Sequence, residues 1–205
     1  MNAEELRQLI LRAMPLLEES RDELRDLDAA IGDGDLGITV GDGALAIAST
    51  LASTDPPDSV ALVLRSCAKA FSEANPSTLS ALVAGGLLAG AKAVGAARDI
   101  ERATALQLAE AIMESIQTRG GAALGDKTIL DAIAPSLEVL KSSGGSPREV
   151  LVSMIDAARQ GVLSTMDTQS QRGRAAWVGE RTVGHADGGA TAYVRLLEAL
   201  HGAWG

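Results

Sequence analysis

Arg21-Asp-Glu-Leu-Arg-Asp-Leu-Asp-Ala-Ala-Ile-Gly-Asp-Gly-Asp-Leu-Gly37 is the stretch on which the fold turns. Residues 32–37 match G-x-G-x-x-G, the glycine pattern of a dinucleotide-binding fold when it follows a β-strand and opens a helix. Here the preceding segment, Arg21–Ile31, is charged and helical in character, so the strand is missing and the match is fortuitous. Period-3.6 patterning with good helix formers dominates the rest of the chain, and no run of alternating β-branched residues occurs. The chain reads as all-α.

Eight helical segments follow from that periodicity. The first covers 3–28, with a kink or interruption expected at Pro15, and the second 38–53. Asp55-Pro56 offers an N-cap and a first-turn proline for a third segment ending near Glu73, and Asn75-Pro76 does the same for a fourth reaching Ala97. The fifth covers 101–118 and the sixth 126–142, with a bend expected at Pro135. Ser146-Pro147-Arg148-Glu149 is a capping box with proline in the first turn, opening a seventh segment to Thr168. The eighth covers 188–201. Short links between long helices favour antiparallel neighbours, so the expected architecture is a bundle or closed barrel of eight antiparallel amphipathic helices, one domain over residues 1–205.

Parity then sorts the links. In an up-and-down arrangement the 2–3, 4–5 and 6–7 links share one end, and they are bland: Asp55-Pro56-Pro57-Asp58, Ala97-Arg98-Asp99 and Ser143-Gly144-Gly145-Ser146. The other end gathers residues 32–37, Asn75-Pro76-Ser77-Thr78, the glycine-rich 119–128 and the long stretch 169–189. The same parity aims the N-termini of four segments at that end, each with unpaired N–H groups and about half a positive charge. The last link is longer than a compact bundle needs, as lids and binding loops are.

Composition narrows the ligand. With 18 Lys and Arg against 27 Asp and Glu the net charge is −9, and two Trp, one Tyr and one Phe among 205 residues provide neither a basic field nor stacking platforms for nucleic acid. An anionic ligand must therefore be met by a metal or by helix ends. The opening Met-Asn-Ala-Glu-Glu-Leu lacks a basic region followed by an apolar one, and the run 79–91 is too short to span a bilayer, so no secretory signal, no membrane partner and a cytoplasmic location are expected. The single cysteine, Cys67, lies in the apolar stretch 60–71 and reads as a core thiol.

Asp28, Asp33 and Asp35 are the chemically suggestive group. Glycines at 32, 34 and 37 prevent the helix that would scatter them, and carboxylates converging within about 4 Å repel by up to roughly 4 kcal/mol per pair at an effective dielectric near 20. A hard cation removes the conflict, and a few carboxylates shared with phosphate oxygens are how Mg²⁺ is usually held. On spacing alone, helix capping and turn decoration explain the same acids equally well. The loop fails as an EF-hand, because positions five, six and twelve counted from Asp33 are Gly37, Ile38 and Ala44. Residues 120–128 fail as a Walker loop, because Asp126 interrupts the pattern before Lys127-Thr128. Ser77 and Thr78 fit a first-turn phosphate site or plain capping. Lys127 and Asp131, four apart, read as a surface ion pair; Arg172, Arg174 and Arg181 as phosphate contacts or solvated loop charges; His185 as a base or, better, a loop histidine satisfied by backbone.

Three stretches carry a resemblance: residues 27–35, Leu-Asp-Ala-Ala-Ile-Gly-Asp-Gly-Asp; Gly125-Asp-Lys-Thr-Ile-Leu-Asp131; and Gly173-Arg-Ala-Ala-Trp-Val-Gly-Glu-Arg-Thr-Val-Gly-His-Ala-Asp-Gly-Gly-Ala190. Together they closely resemble the L-subunit, nucleotide-binding family of dihydroxyacetone kinases, in the family's order and over almost the whole chain. The resemblance implies a barrel of eight antiparallel helices holding ADP or ATP with Mg²⁺, two ions being expected, on Asp28, Asp33 and Asp35. Leu36, Gly37, Ile38, Thr39, Ser77, Thr78, Gly120, Ile129, Arg172 or Arg174, Asp187, Gly188 and Gly189 fall where that family contacts nucleotide.

It further implies a kinase subunit active with a separate ketose-binding K subunit, whose histidine holds the substrate carbonyl. A phosphotransferase-system phosphocarrier is a possible second partner and a homodimer a possible assembly. The alternative is a non-catalytic module that signals its nucleotide state to a protein. Three positions depart from the family pattern: Leu36 stands where His is typical, Asn75-Pro-Ser-Thr-Leu79 where a Gly-Thr/Ala-Ser-Gly run is common, and Gly188 where Pro is usual.

Overall fold

A computed structural model describes residues 1–204. It contains nine α-helices: α1 (Ala3–Glu18), α2 (Arg21–Ile31), α3 (Leu36–Ser53), α4 (Val60–Ala74), α5 (Thr78–Val94), α6 (Arg102–Gly120), α7 (Leu130–Ser142), α8 (Pro147–Ser164) and α9 (Gly188–Ala203), with a 3-10 helix, Arg174–Thr182, between the last two. Among the described residues there is no strand, only an isolated bridge between Asn2 and Asp99. The all-α expectation holds.

The helices pack in chain order. Each of α3 to α9 lies against its predecessor, and α9 also lies against α1, which closes the ring. Nine helices make eight staves because α1 and α2 share one: both pack on α3 and on α9. Pro15 was the expected break, yet it lies inside α1, and the chain bends at Glu19–Ser20. Ser20 ends α1 by donating both its N–H and its hydroxyl to the Leu17 carbonyl, at 3.1 and 2.6 Å. Glu19 and Ser20 keep right-handed helical angles, so the chain deflects instead of reversing.

The caps explain where sequence boundaries were right and where they slipped. Asn2 and Glu5 form an unanticipated capping box, and Ser146 and Glu149 form the anticipated one with Pro147 opening α8. The third expected segment starts at Val60, not Pro56, because Pro57 denies the residue before it the helical conformation. The fourth is capped by Ser77, whose hydroxyl accepts the Ser80 N–H, two residues beyond the Asn75 expected in that role. It stops at Val94 before Gly95, and α8 stops at Ser164 instead of continuing to Thr168. The sixth segment begins at Leu130, leaving residues 126–129 in a loop that proves central to the site.

The core is built of small and branched residues: Ala13, Leu24, Ala44, Leu51, Val60 and Val63 are all buried. Cys67 is among them, and burial pushes its thiol up to about 12, which leaves it inert at neutral pH. The helix α3 is long and apolar enough by length and composition to cross a membrane, with a mean hydropathy of 1.3, and here it is a barrel stave. By contrast α2 is polar, with Leu24 and Ile31 buried and Leu27 packed partly buried against the core. Its outer face is held by the bidentate pair of Arg195 with Glu23 and by Arg21 with Asp42.

Candidate functional site

The first acid, Asp28, lies in the last turn of α2, and Asp33 and Asp35 lie in the link to α3. Gly34 takes the left-handed conformation that reverses the link, at φ 77°, while a Cβ at Gly32 would overlap the Asp28 carboxylate. One oxygen from each of the three acids comes within 4.8 Å of the others. The expected repulsion is visible: burial and then Asp28 hold the Asp35 carboxyl above the usual range. Arg174, from the 3-10 helix, lies across the group, donating to Asp35 at 2.8 Å and also contacting Asp33.

A cavity of about 260 Å³ opens beside these acids. It is lined by all four of the segments that parity gathered: Asp28 to Thr39, Ser77 to Leu82, Gly120 to Leu130, and Arg172 to Gly189 contribute residues. The N-termini of α3, α5, α7 and α9 border it through Leu36, Thr78, Leu130 and Gly188. Thr39 is 2% exposed, and its hydroxyl has no partner. A buried hydroxyl without a hydrogen bond is costly, and one in a cavity wall is a ready contact for a polar ligand.

Of the expected nucleotide contacts, Leu36, Thr39, Ser77, Thr78, Gly120, Ile129, Arg172, Arg174, Asp187, Gly188 and Gly189 line the cavity. Gly37 and Ile38 do not. Helical phase separates them from Leu36 and Thr39: Gly37 is packed against Arg21 of α2, and Ile38 faces outward, 43% exposed. Two of the three sequence departures meet, since a Cβ at Gly188 would lie 2.5 Å from the Leu36 side chain. Leu36 fills the corner that the glycine leaves open. His185 is exposed and does not line the cavity.

The wall that sequence reading missed is apolar: Leu79 and Leu82 of α5, Ile116 of α6, Ala122 and Leu130. Leu79 and Leu82 are three apart just after a cap, a signal available in the sequence. Lys127 corrects a second expectation. It precedes α7, so its spacing to Asp131 is not helical and no ion pair forms. Asp131 instead accepts the N–H groups of Gly125 at 2.6 Å and Thr128 at 2.8 Å, fixing the loop ahead of the helix. Lys127 is 1% exposed and donates only to backbone carbonyls.

The N-cap of α9 is Asp187, which accepts the Ala190 N–H at 2.7 Å. Burial pushes its carboxyl up to about 6, against the pull of that N–H and of Lys127. The native state therefore binds more protons than the unfolded chain between about pH 4 and 6, and this residue's contribution to stability falls as pH rises through that window. Asp187→Asn keeps an acceptor for Ala190 and abolishes the titration. Urea melts should show parent and variant alike near pH 4, with the variant gaining up to roughly 3 kcal/mol by pH 7. A difference that does not change with pH would overturn this.

Comparison with known proteins adds what geometry cannot. The DAK2 domain model matches residues 30–202, beginning just after Asp28. The chain is 31% identical over 195 residues to the ADP-binding subunit DhaL of PEP-dependent dihydroxyacetone kinase 2 from Listeria innocua, covering 90% of this chain and 87% of that one. It is 32% identical over 185 residues to L-erythrulose 1-kinase from Mycolicibacterium smegmatis, covering 87% of this chain and 32% of the other. Among solved structures, the dihydroxyacetone kinase from C. freundii in complex with AMP-PNP and Mg²⁺ superposes with a TM-score of 0.78 at 23% identity, over 98% of this chain and 34% of that one. The chain thus spans nearly all of the free-standing subunit and about a third of the longer kinases.

Proposed function

The chain belongs to the DAK2 domain family, and from that membership we propose that it is the nucleotide-binding, phosphoryl-transfer subunit of a dihydroxyacetone-type ketose kinase, residues 1–205 forming one such domain. The observation that carries this reading is the convergence in one cavity of three carboxylates, the unpartnered Thr39 hydroxyl and four helix N-termini. An acidic chain has few other means of holding a polyphosphate.

The donor set fits a hard divalent cation, because all three ligands are carboxylate oxygens and Arg174 offsets only part of their mutual repulsion. Asp28, Asp33 and Asp35 would hold Mg²⁺, one ion or two, which would neutralise charge on the phosphates of ADP or ATP. The chain's own residues do the positioning. Ser77 and Thr78 present hydroxyls at the start of α5, and the first turns of α3 and α9 border the same space. Leu79, Leu82, Ile116 and Leu130 supply an apolar slot for the base. Arg174 exchanges its carboxylate partners for phosphate oxygens, bringing a positive charge to the transferring group. The acceptor hydroxyl comes from a ketose held on the partner K subunit; a phosphocarrier protein is the other candidate partner, recharging bound ADP.

Calorimetry with ADP, in Mg²⁺ and in EDTA, tests the reading: binding is expected only with the metal. The segment 169–187 should close over the nucleotide. Its exposed Arg172, Arg174 and Arg181 are tryptic sites, and Mg²⁺ with ADP should slow cleavage there far more than at Arg98, exposed on the opposite end. Equal protection at both ends would mean global stabilisation by ligand, and no closure.

A further inference from the structure

We propose that Lys127 is the positioning residue of the lid: its buried ammonium ties both stems of the segment 166–183 to the nucleotide cavity and thereby sets where Arg174 reaches. The inference rests on the cavity being a nucleotide site, and it assigns a task to a motif residue which that reading leaves unused.

An ammonium has three N–H donors, and here all three are satisfied by carbonyls: Met166 at 2.9 Å, Thr168 at 2.9 Å and Thr182 at 2.6 Å. Met166 and Thr168 lie where the chain enters the lid, and Thr182 where it leaves. Among the described residues no carboxylate forms a salt bridge with Lys127; burial lowers its proton affinity, and Asp187 and Asp167 act on it only at longer range. Surface ion pairing would not need this arrangement. The residue is also the one non-glycine with a left-handed backbone among the described residues, at φ 61°. Such a conformation costs on the order of 1–3 kcal/mol and persists where surroundings over-determine it.

The ties continue at the same base. Gly184 donates to the Met166 carbonyl at 2.9 Å, and Ser170 donates to the Thr182 hydroxyl at 2.9 Å. Above the base the holds are weaker. Arg172 pairs with Asp126 and Arg174 with the acidic group, both at exposed positions, and Trp177, three residues beyond Arg174, is 86% exposed. The lid is therefore held most firmly at its stems. Lys127 itself lines the cavity beside Thr128 and Ile129, so one side chain joins the ligand wall to the lid base.

The test is a double-mutant cycle on Mg²⁺–ADP affinity in the full chain. The parent is titrated first, since a parent that does not bind ADP refutes the nucleotide reading, not this one. Lys127→Met keeps the aliphatic stem, removes three donors and should weaken Mg²⁺–ADP binding by about tenfold or more. It should also speed tryptic cleavage at Arg172 and Arg181. Mn²⁺ affinity at the acids, read by electron paramagnetic resonance, should stay at the parent value. In an Arg174→Ala background the same substitution should cost little further affinity, because both act through one contact. Should Lys127→Met not fold, Lys127→Arg serves in the same cycle: it keeps the charge but displaces the stems, and its loss should again vanish in the Arg174→Ala background. Equal fold-losses in both backgrounds, or unchanged affinity in the single variant, would overturn the proposal.

Discussion

Asp33→Asn and Asp35→Asn should each abolish Mg²⁺-dependent ADP binding while leaving the helix content as it is. Either change removes one of three anionic oxygens that lie within 4.8 Å of one another, and an amide oxygen is a much weaker ligand for a hard cation. The fold has little at stake. The two side chains are about half exposed, at 50% and 44%, and their pairs with Arg174 are of the exposed kind, worth at most about 1 kcal/mol. Asp35→Asn should even relieve the burial of charge and, after it, the repulsion from Asp28 that together raise the parent carboxyl, so binding and stability move in opposite directions. Far-UV circular dichroism and calorimetry of ADP with Mg²⁺ read the two effects separately. Unchanged ADP affinity in both variants would remove the acidic group from the site.

Why so much of the site was legible in the sequence follows from topology. Helices joined by short links alternate in direction, so residues 32–37, 75–78, 119–128 and 169–189 were expected to meet, and members of each line one cavity. That inference needed no side-chain geometry. What needed geometry was misread. Pro15 stays within α1 because the chain is released five residues later, where Ser20 takes up the carbonyl of Leu17. Gly37 and Ile38 belong to the right loop but the wrong face of α3, a distinction set by helical phase. Lys127 and Asp131 have helical spacing in a segment that is not yet helical, and each turns to backbone partners instead. Sequence periodicity cannot reveal a buried lysine whose acceptors are carbonyls some 40 and 55 residues away.

The chain alone should not phosphorylate free dihydroxyacetone or erythrulose, and adding the ketose-binding subunit should restore turnover. The cavity walls offer carboxylates, hydroxyls, N–H groups and an apolar slot, all suited to a metal and a nucleotide. No histidine is among the lining residues, and the one primary amine there, Lys127, is engaged by three backbone carbonyls. His185 is exposed and outside the cavity lining, and His201 lies in the last turn of α9, about 20 Å along the helix from the N-terminus that faces the site. Without a bound acceptor the transfer loses the positioning that supplies most of phosphoryl-transfer catalysis, so isolated turnover should fall by at least about 10³-fold relative to the pair. A coupled assay with and without the partner measures this directly. Robust turnover by the isolated chain would refute the two-protein reading. Tight Mg²⁺–ADP binding with no turnover even in the partner's presence would instead favour a module that reports nucleotide state, because such a module keeps the acids and the helix ends but transfers nothing.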